Sequence, residues 1–272
     1  SDIRTEAAIT ILCDGKKICS HKVSLDQGRN SFTCPFTLKN AALWWSNGLG
    51  EASMHNFDII AEAAGIKASV SERTGIRTAE VIREDDRWGR SFTVRLNGLD
   101  VFCKGANWIP IDNFPHRRSR DDYDRLIGDA AECNMNMLRV WGGGLYENED
   151  FYAACDSLGV MVWQDMAFAC GMFPADSAYL ASVSAEVRDN IRRLRNHPSI
   201  VLWCGNNENE ISYFEWGWNR TLTGEQQKDY EAGLRRLFYE TIPEAIAMED
   251  DTRYYHPSSP STGHSGVPYS MG

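Results

Sequence analysis

The order of apolar and polar residues divides the chain into two parts. Up to residue 82, short apolar or alternating runs are separated by Gly, Asn and Asp, a pattern typical of antiparallel strands. Residues 4–82 are therefore predicted to form an all-β sandwich. Its predicted strands are residues 9–13, 18–25, 31–38, 56–61 and 76–82. A hairpin should follow, because Asn97-Gly98 lies between the apolar runs 92–96 and 100–103 and suits a tight type I′ turn.

Beyond the hairpin, apolar runs of strand length alternate with stretches of helical period. This alternation predicts strand–helix units around a parallel sheet. The predicted strands are residues 101–105, 137–141, 160–164, 200–204 and 253–256, and the predicted helices are residues 121–134, 149–158, 181–196 and 225–241. The division into domains is predicted at 1–84, a β-sandwich, and 85–272, the strand–helix part.

The spacing of these units bears on the architecture. Eight units at this spacing would need roughly 300 residues, whereas about 170 follow residue 101. An eight-stranded barrel would therefore be truncated near its middle. A doubly wound open sheet is the alternative, because it also alternates strands with helices and needs no further units.

Composition and charge limit the classes of ligand. The chain has 272 residues, of which 43% are hydrophobic, and a formal net charge of -10, which would repel a polyanion. We expect neutral ligands and neither nucleic-acid nor membrane binding, since apolar runs fall far short of the roughly 18 residues of a membrane span. No cofactor is expected, and the compartment is left open.

The eight cysteines lack a CxxC pair, which disfavours a zinc ribbon or a thioredoxin-type motif. We expect mostly buried free thiols and no metal site. Cys13 and Cys19 are the pair that could form a disulfide in an oxidising compartment.

Polar and aromatic residues cluster where the predicted parallel strands end. Functional side chains gather at these ends in both parallel architectures. Indole rings beside amides and carboxylates suit a sugar, which offers C–H faces for stacking and hydroxyls for hydrogen bonds. The candidates are Asn107 and Trp108 after the first strand, Arg139 and Trp141 at the second, Asp165 at the third, and Asn207 and Glu208 after the fourth.

Hydrolysis of a glycosidic bond needs two carboxyl groups, one of which protonates the leaving oxygen. Glu208 is the preferred acid, because it follows an apolar strand directly and burial would raise its pKa. Glu210 is the competitor. Its alternative role is that of a carboxylate near the N-terminus of the next helix.

Several motifs, in this order along the chain, resemble the β-mannosidases of glycoside hydrolase family 2. They are GIRT at 75–78, KGANWIP at 104–110, LRVWGGG at 138–144, QD at 164–165 and HPSIVLWCGNNENE at 197–210. The resemblance implies an immunoglobulin-like β-sandwich followed by the first half of a (β/α)8 TIM barrel.

The resemblance also implies roles for single residues. It implies a retaining exo-β-mannosidase in which Glu208 is the acid/base and Asn207 binds the sugar 2-hydroxyl. Arg139, Trp141 and Trp216 would line the pocket for the terminal sugar, and β-linked mannosides or oligosaccharides would be the substrates. The family's nucleophile is a glutamate after the seventh strand, which matches no residue here. Asp165 is expected to support the pocket rather than to attack.

Other functions stay open at this point. Other family 2 glycosidases act on β-galactosides, β-glucuronides or β-glucosaminides, and a non-catalytic carbohydrate-binding module is the alternative of a different class. We expect the chain by itself to be inactive, and to associate with a second copy or to be poorly soluble, since a half-barrel exposes sheet edges and apolar surface.

Overall fold

The computed structural model describes residues 4–261, which fall into two compact units. The first comprises residues up to 44 together with 53–76, and the second comprises residues 45–52 and those from 77 onward. The domain division predicted at residue 84 stays a prediction.

The first unit contains one antiparallel sheet. Its strands are β1 (Thr5–Cys13), β2 (Lys16–Leu25), β3 (His55–Ala63) and β4 (Ile66–Thr74), in the order β2-β1-β3-β4. Ile11, Cys13 and Phe57 form its small buried core. In the described residues this unit has no second sheet, so the immunoglobulin-like sandwich stays a prediction.

One strand prediction in this unit was wrong, and one strand was missed. Residues 31–38 form no strand, and Pro35 in their middle can donate no ladder hydrogen bond. Strand β4 was not predicted, although Ile66, Ala68 and Val70 alternate with polar residues. It follows β3 through a turn in which Ala64 and Gly65 both have positive φ, and alanine is not a usual turn signal there.

The second unit begins with small antiparallel sheets. A three-stranded sheet has the order β5-β8-β9, where β5 is Ala79–Ile82, β8 is Thr93–Leu96 and β9 is Leu99–Val101. The predicted hairpin is confirmed, because Asn97 and Gly98 turn between β8 and β9 with φ of 49° and 83°. A two-stranded ribbon pairs β6 (Asp85–Asp86) with β7 (Gly89–Arg90).

The main sheet has five parallel strands in consecutive order. They are β10 (Gly105–Trp108), β11 (Met137–Val140), β12 (Met161–Asp165), β13 (Ile200–Cys204) and β14 (Tyr254–His256). A doubly wound sheet reverses its strand order at a switch point, and these five strands do not. Their order is that of a partial TIM barrel.

The start of the first parallel strand was predicted wrongly. Val101 pairs antiparallel with Val94 and completes the hairpin, because the turn at Asn97 and Gly98 sets that register. Strand β10 begins at Gly105 instead. A Cβ there would lie 1.6 Å from the carbonyl oxygen of Met137, so a glycine is required for the close pairing with β11.

Helices cover one face of the parallel sheet. They are α1 (Arg120–Glu132), α2 (Glu149–Leu158), α3 (Ser177–Leu194), α4 (Asn209–Phe214), α5 (Gly224–Arg235) and α6 (Ile242–Ala247), with a π-helical segment Arg236–Thr241 joining the last two. Short 3₁₀ turns occupy Pro115–Arg117 and Trp218–Thr221. Side chains of Ser119 and Thr223 cap α1 and α5 in capping boxes, as the sequence pattern favours. Residues such as Ile127, Phe151, Val162, Ile191 and Leu237 form the core between sheet and helices.

Candidate active site

Polar side chains from three neighbouring strands meet at the carboxyl end of the parallel sheet. Arg139 lies in β11, Asp165 ends β12, and Asn207 and Glu208 follow β13. Because the strands are parallel and adjacent, residues far apart in sequence reach one edge.

An ion pair anchors this group. The Arg139 guanidinium binds Asp165 through two hydrogen bonds, Nε to Oδ1 at 3.2 Å and Nη2 to Oδ2 at 2.8 Å. Asp165 also accepts the backbone N–H of Gly142 at 3.0 Å and the indole N–H of Trp163 at 2.8 Å. Such two-pronged pairing fixes the plane of the guanidinium.

Asp165 itself is closed off from solvent. Its exposed fraction is 2%. Burial raises the pKa of Asp165, while the Arg139 guanidinium opposes that shift. With four donors already bound, this carboxylate is poorly placed to attack a substrate, which agrees with a supporting position.

Asn207 is held from several sides. Its Oδ1 accepts a hydrogen bond of 3.0 Å from Arg139 Nη2. Its backbone N–H donates to the carbonyl of Phe168 and its carbonyl accepts from the N–H of Cys170, both at 2.9 Å. The ion pair and the loop after β12 therefore fix the Asn207 side chain and backbone together.

Glu208 lies at the start of α4 in the left-handed region, with φ 63° and ψ 10°. This backbone conformation is uncommon for a residue other than glycine, and such residues are found in turns as well as at functional sites. The Glu208 N–H donates to the carbonyl of Ser259 at 3.0 Å, and the Ser212 N–H donates to the Glu208 carbonyl at 2.9 Å. These bonds hold the strained residue in place.

The Glu208 carboxylate has one protein partner that the sequence did not reveal. The thiol of Cys170 lies 3.1 Å from Glu208 Oε2, and the Asn207 amide nitrogen lies 3.5 Å from the same sulfur. Cys170 belongs to the loop after β12 and has φ 42°. The Gln164-Asp165 strand end was the only part of this connection considered from sequence, although the loop that follows also lies at the strand ends.

Asn107 lies beside Arg139 in the neighbouring strand, and Trp141 directly follows the end of β11. Asn107 and Arg139 line one open cavity of about 300 Å³, bounded also by Gly105. Trp141 is half-buried. Its indole covers Gly143 so closely that a Cβ there would lie 2.0 Å from the ring, which explains a glycine in the loop.

Of the other two tryptophans predicted to bind substrate, Trp108 lies in the core. Trp108 packs between sheet and helices, 4.8 Å from Phe151 by ring centroids, and its indole N–H donates to Glu147 at 3.1 Å. Strand alternation directs it away from Asn107. Trp216 follows α4 and is 53% exposed. Their substrate contacts stay predictions, and the packing of Trp108 speaks against its own.

Glu210 is separated from Glu208 by its surroundings. It lies in the first turn of α4, is fully buried, and accepts a hydrogen bond from the Tyr239 hydroxyl. This position near a helix N-terminus is the alternative role weighed for it from the sequence. Glu208 is therefore the better candidate acid.

Trp163 packs next to the Arg139–Asp165 ion pair, and His256 packs against Trp163. The Trp163 ring stacks on Phe92, lies 5.7 Å from the Arg139 guanidinium carbon and meets the His256 ring edge-on at 5.8 Å. Burial, with smaller contributions from Arg83 and Arg139, lowers the pKa of His256 to about 4. Neither residue was singled out from sequence, since Trp163 lies inside a strand and His256 ends one.

The depressed pKa of His256 predicts a pH dependence of stability. An unfolded histidine titrates near 6.5, so between pH 6.5 and 4 the unfolded chain binds a proton that the folded chain excludes. The free energy of unfolding should therefore fall on acidification. At pH 4.5 the loss attributable to His256 is about 2 to 3 kcal/mol.

Urea unfolding of the parent and of His256→Gln between pH 7 and 4.5 measures this effect. Carboxylates titrate in the same range in both proteins, so the difference between the two curves isolates His256. A variant whose stability falls as steeply as that of the parent would contradict the prediction.

Two further findings concern the cysteines and membrane-spanning helices. All eight cysteines are free thiols, including Cys13 and Cys19, so the disulfide considered for that pair is not present. The expectation that most thiols are buried was wrong, because only Cys13, Cys155 and Cys204 are buried. Among residues 4–261, no helix is both long and apolar enough to span a bilayer.

Comparisons with known proteins agree with the fold. Residues 146–234 match the family "Glycosyl hydrolases family 2, TIM barrel domain". Beta-mannosidase B of Emericella nidulans is 40% identical over 94% of this chain and 30% of its own length. Beta-mannosidase of Bos taurus is 41% identical over 81% of this chain and 25% of its own length.

Solved structures of glycoside hydrolases have the same fold as this chain. Beta-D-mannosidase from Dictyoglomus thermophilum superposes with a TM-score of 0.84 at 40% identity, over 97% of this chain and 32% of that one. An exo-chitosanase of Amycolatopsis orientalis, at 19% identity and a TM-score of 0.74, shares the fold.

The chain therefore carries part of a TIM barrel that is similar to that of glycoside hydrolases. Within that class its similarity is to the β-mannosidases of glycoside hydrolase family 2. The chain spans about 30% of the length of the curated relatives it matches.

Proposed function

We propose that this chain provides the acid/base half of a retaining exo-β-glycosidase that removes terminal β-D-mannose from β-mannosides. The observation that carries the proposal is the placement of Glu208. It is held in a strained conformation at the end of β13, next to an asparagine fixed by an arginine–carboxylate pair. The names of the relatives support mannose as the sugar.

In this proposal each residue acts on the bound sugar. Glu208 protonates the leaving oxygen and afterwards activates water. Asn207 presents its amide to the sugar 2-hydroxyl, and the Arg139–Asp165 pair holds that amide in place. Trp141 lines the pocket, with Trp216 reaching it from the segment after α4.

The second carboxylate is proposed to come from sequence outside residues 1–272. Asp165 is the other carboxylate of the cluster, and it is buried and fully bound to donors. We also propose that the first unit belongs to an immunoglobulin-like β-sandwich, in which the sheet β1–β4 supplies one layer.

The test of the proposal is a panel of nitrophenyl β-glycosides offered to a full-length protein carrying this sequence. Hydrolysis of the β-mannoside, with far weaker activity on the galactoside, glucuronide and glucosaminide, is the expected result. Preference for one of the other three sugars would move the protein to another activity of the same family. Binding of mannosides without any hydrolysis would favour a carbohydrate-binding module instead.

The isolated chain should not turn over β-mannosides. Loss of one of two mechanistic carboxylates removes several orders of magnitude in rate. The measurement is release of nitrophenol by the purified 272-residue chain, with a full-length protein as the positive control. Robust turnover by the chain alone would refute the proposed location of the nucleophile.

The isolated chain should also self-associate. In the described part of the chain β10 is an edge of the parallel sheet, and the nearby Phe102 and Ile109 are 83% and 60% exposed. Unpaired strand edges beside apolar side chains favour pairing with another chain. Light scattering over a range of concentrations checks this, and a mass that stays monomeric throughout would contradict it.

A further inference from the structure

A cluster of different donor atoms lies in the first unit, within residues that the proposed glycosidase site does not use. Cys13 ends β1, Asp14 follows it in the turn to β2, and His55 begins β3. The Cys13 sulfur, an Asp14 carboxylate oxygen and a His55 ring nitrogen all lie within 4.8 Å of one another.

The distances fit ligands of one metal ion. Cys13 Sγ lies 3.7 Å from Asp14 Oδ2, and His55 Nδ1 lies 2.8 Å from the same oxygen. In a tetrahedral zinc site with bonds of ~2.0 to 2.3 Å, neighbouring donor atoms are roughly 3.3 to 3.7 Å apart. Seating an ion would therefore require His55 Nδ1 to move about half an ångström away from Asp14 Oδ2, within a cluster whose donor atoms all lie within 4.8 Å of one another.

The histidine is already oriented as metal ligands are. His55 Nε2 lies 2.9 Å from the carbonyl oxygen of Ala42, so this nitrogen must carry the proton and donate it. Metal-binding histidines donate their other ring N–H to such a carbonyl. The remaining nitrogen, Nδ1, is the one that faces Asp14 and Cys13.

The aspartate is equally fixed. Its second oxygen, Oδ1, accepts the backbone N–H of Asn56 at 2.9 Å, while the Asp14 N–H donates to the Asn56 carbonyl at 2.8 Å. The Asp14 side chain is 48% exposed. An ion and a water ligand could therefore approach from the solvent side of the turn.

We propose that Cys13, Asp14 and His55 form a binding site for a divalent transition-metal ion, with Zn²⁺ as the occupant that best fits one sulfur, one oxygen and one nitrogen donor. A water molecule completes the tetrahedron. This inference does not rest on the proposed glycosidase function, since every residue it uses lies in the β1–β4 unit.

The chemistry of binding involves protons at two positions. The hydrogen bond to Asp14 raises the pKa of His55, and burial raises the pKa of Cys13. The ion binds through the lone pairs of His55 Nδ1 and of the Cys13 thiolate, so any proton that these atoms carry in the metal-free chain passes to the buffer.

Cobalt provides the direct probe. The reduced, metal-free 272-residue chain is titrated with Co²⁺, and we expect the near-ultraviolet band of a thiolate–cobalt bond together with visible bands of tetrahedral Co²⁺, saturating at one equivalent. Zn²⁺ should then abolish this spectrum. Cys13→Ser should lose the thiolate band and His55→Ala should weaken Co²⁺ binding at least tenfold.

Cys19→Ser is the matched control, because Cys19 packs against the same small core without belonging to the cluster. It should retain the full spectrum. Circular dichroism checks that each variant is folded. Should Cys13→Ser or His55→Ala misfold, Asp14→Asn decides, because asparagine tolerates the left-handed turn yet removes the anionic ligand. We expect at least tenfold weaker Co²⁺ binding in Asp14→Asn.

Three results would overturn the proposal. They are the absence of a thiolate–cobalt band in the parent chain, an unchanged band in folded Cys13→Ser, and unchanged Co²⁺ affinity in Asp14→Asn. In each case the three side chains would form only the His55–Asp14 ion pair beside a buried thiol.

Discussion

Replacement of Arg139 by alanine is expected to destabilise the parallel-sheet unit by ~3 to 5 kcal/mol, the usual cost of leaving a buried carboxylate without its partner. Arg139 is the only cation that binds Asp165 among the described ion pairs, and the Asp165 side chain is fully buried. Since whole domains are stable by only about 5 to 15 kcal/mol, this loss would bring the unit close to unfolding. Urea unfolding followed by tryptophan fluorescence measures it.

A double variant tests whether the buried charge is the cause. Arg139→Ala/Asp165→Asn removes the unpaired carboxylate charge. The amide oxygen of the new asparagine can still accept the Gly142 N–H, so part of the lost stability should return. Arg120→Ala, which breaks exposed pairs with Asp124 and Asp150, should cost at most about 1 kcal/mol. An Arg139→Ala chain no less stable than Arg120→Ala would show that the pair does not support the sheet.

Acid should reduce the cost of Arg139→Ala. Burial raises the pKa of Asp165, and removing the guanidinium that opposes this shift raises it further. Protonation then neutralises the unpaired carboxylate, so the difference in stability between variant and parent should shrink as the pH falls.

Local pattern was sufficient for much of the fold. The helix predicted at 149–158 and the strand predicted at 200–204 have the observed bounds, because Asn148 and Gly159 cap the helix and the strand is one continuous apolar run. The Asn97-Gly98 turn was predictable for the same reason. Each of these features depends on residues close together in the chain.

Features that depend on distant residues were not predictable. Gly105 begins β10 because it lies against the Met137 carbonyl, a contact between segments more than 30 residues apart. Val101 lies in an apolar run of the kind that forms barrel strands, yet the register of the hairpin pairs it with Val94. Neither the Gly105–Met137 contact nor the pairing of Val101 with Val94 can be inferred from the local pattern of a single sequence.

The candidate site also has features that were predictable from the sequence and features that were not. The rule that parallel strands carry functional residues at their carboxyl ends brings Arg139, Asp165, Asn207 and Glu208 together without any structure. It cannot say which face a tryptophan takes, and Trp108 packs into the core. Nor could it reveal Cys170, whose thiol reaches Glu208 through a loop conformation.

In a full-length protein carrying this sequence, Glu208→Gln should cripple hydrolysis of mannosides with poor leaving groups far more than of activated aryl mannosides. Loss of general acid/base catalysis typically costs 10²- to 10⁴-fold. A basic leaving oxygen needs the proton that Glu208 supplies, whereas an activated phenolate departs unaided. For the activated substrate only the second step, attack by water, then lacks its base, so the covalent intermediate should accumulate. A burst of phenolate followed by slow turnover measures this.

Azide makes the assignment specific to Glu208. As a small anionic nucleophile it needs no general base, so it should restore turnover of the activated substrate by the Glu208→Gln enzyme and yield a β-mannosyl azide. Glu210→Gln is the matched control two residues away. Glu210 is bound to Tyr239 in the helix layer, so its replacement should show neither the leaving-group dependence nor the azide effect. If Glu208→Gln instead lowers activity equally on both substrate types and azide restores only the Glu210→Gln enzyme, the acid/base role belongs to Glu210. The left-handed backbone at Glu208 favours the first outcome, because a strained conformation held by Ser212 and Ser259 is retained where the carboxylate must be aimed.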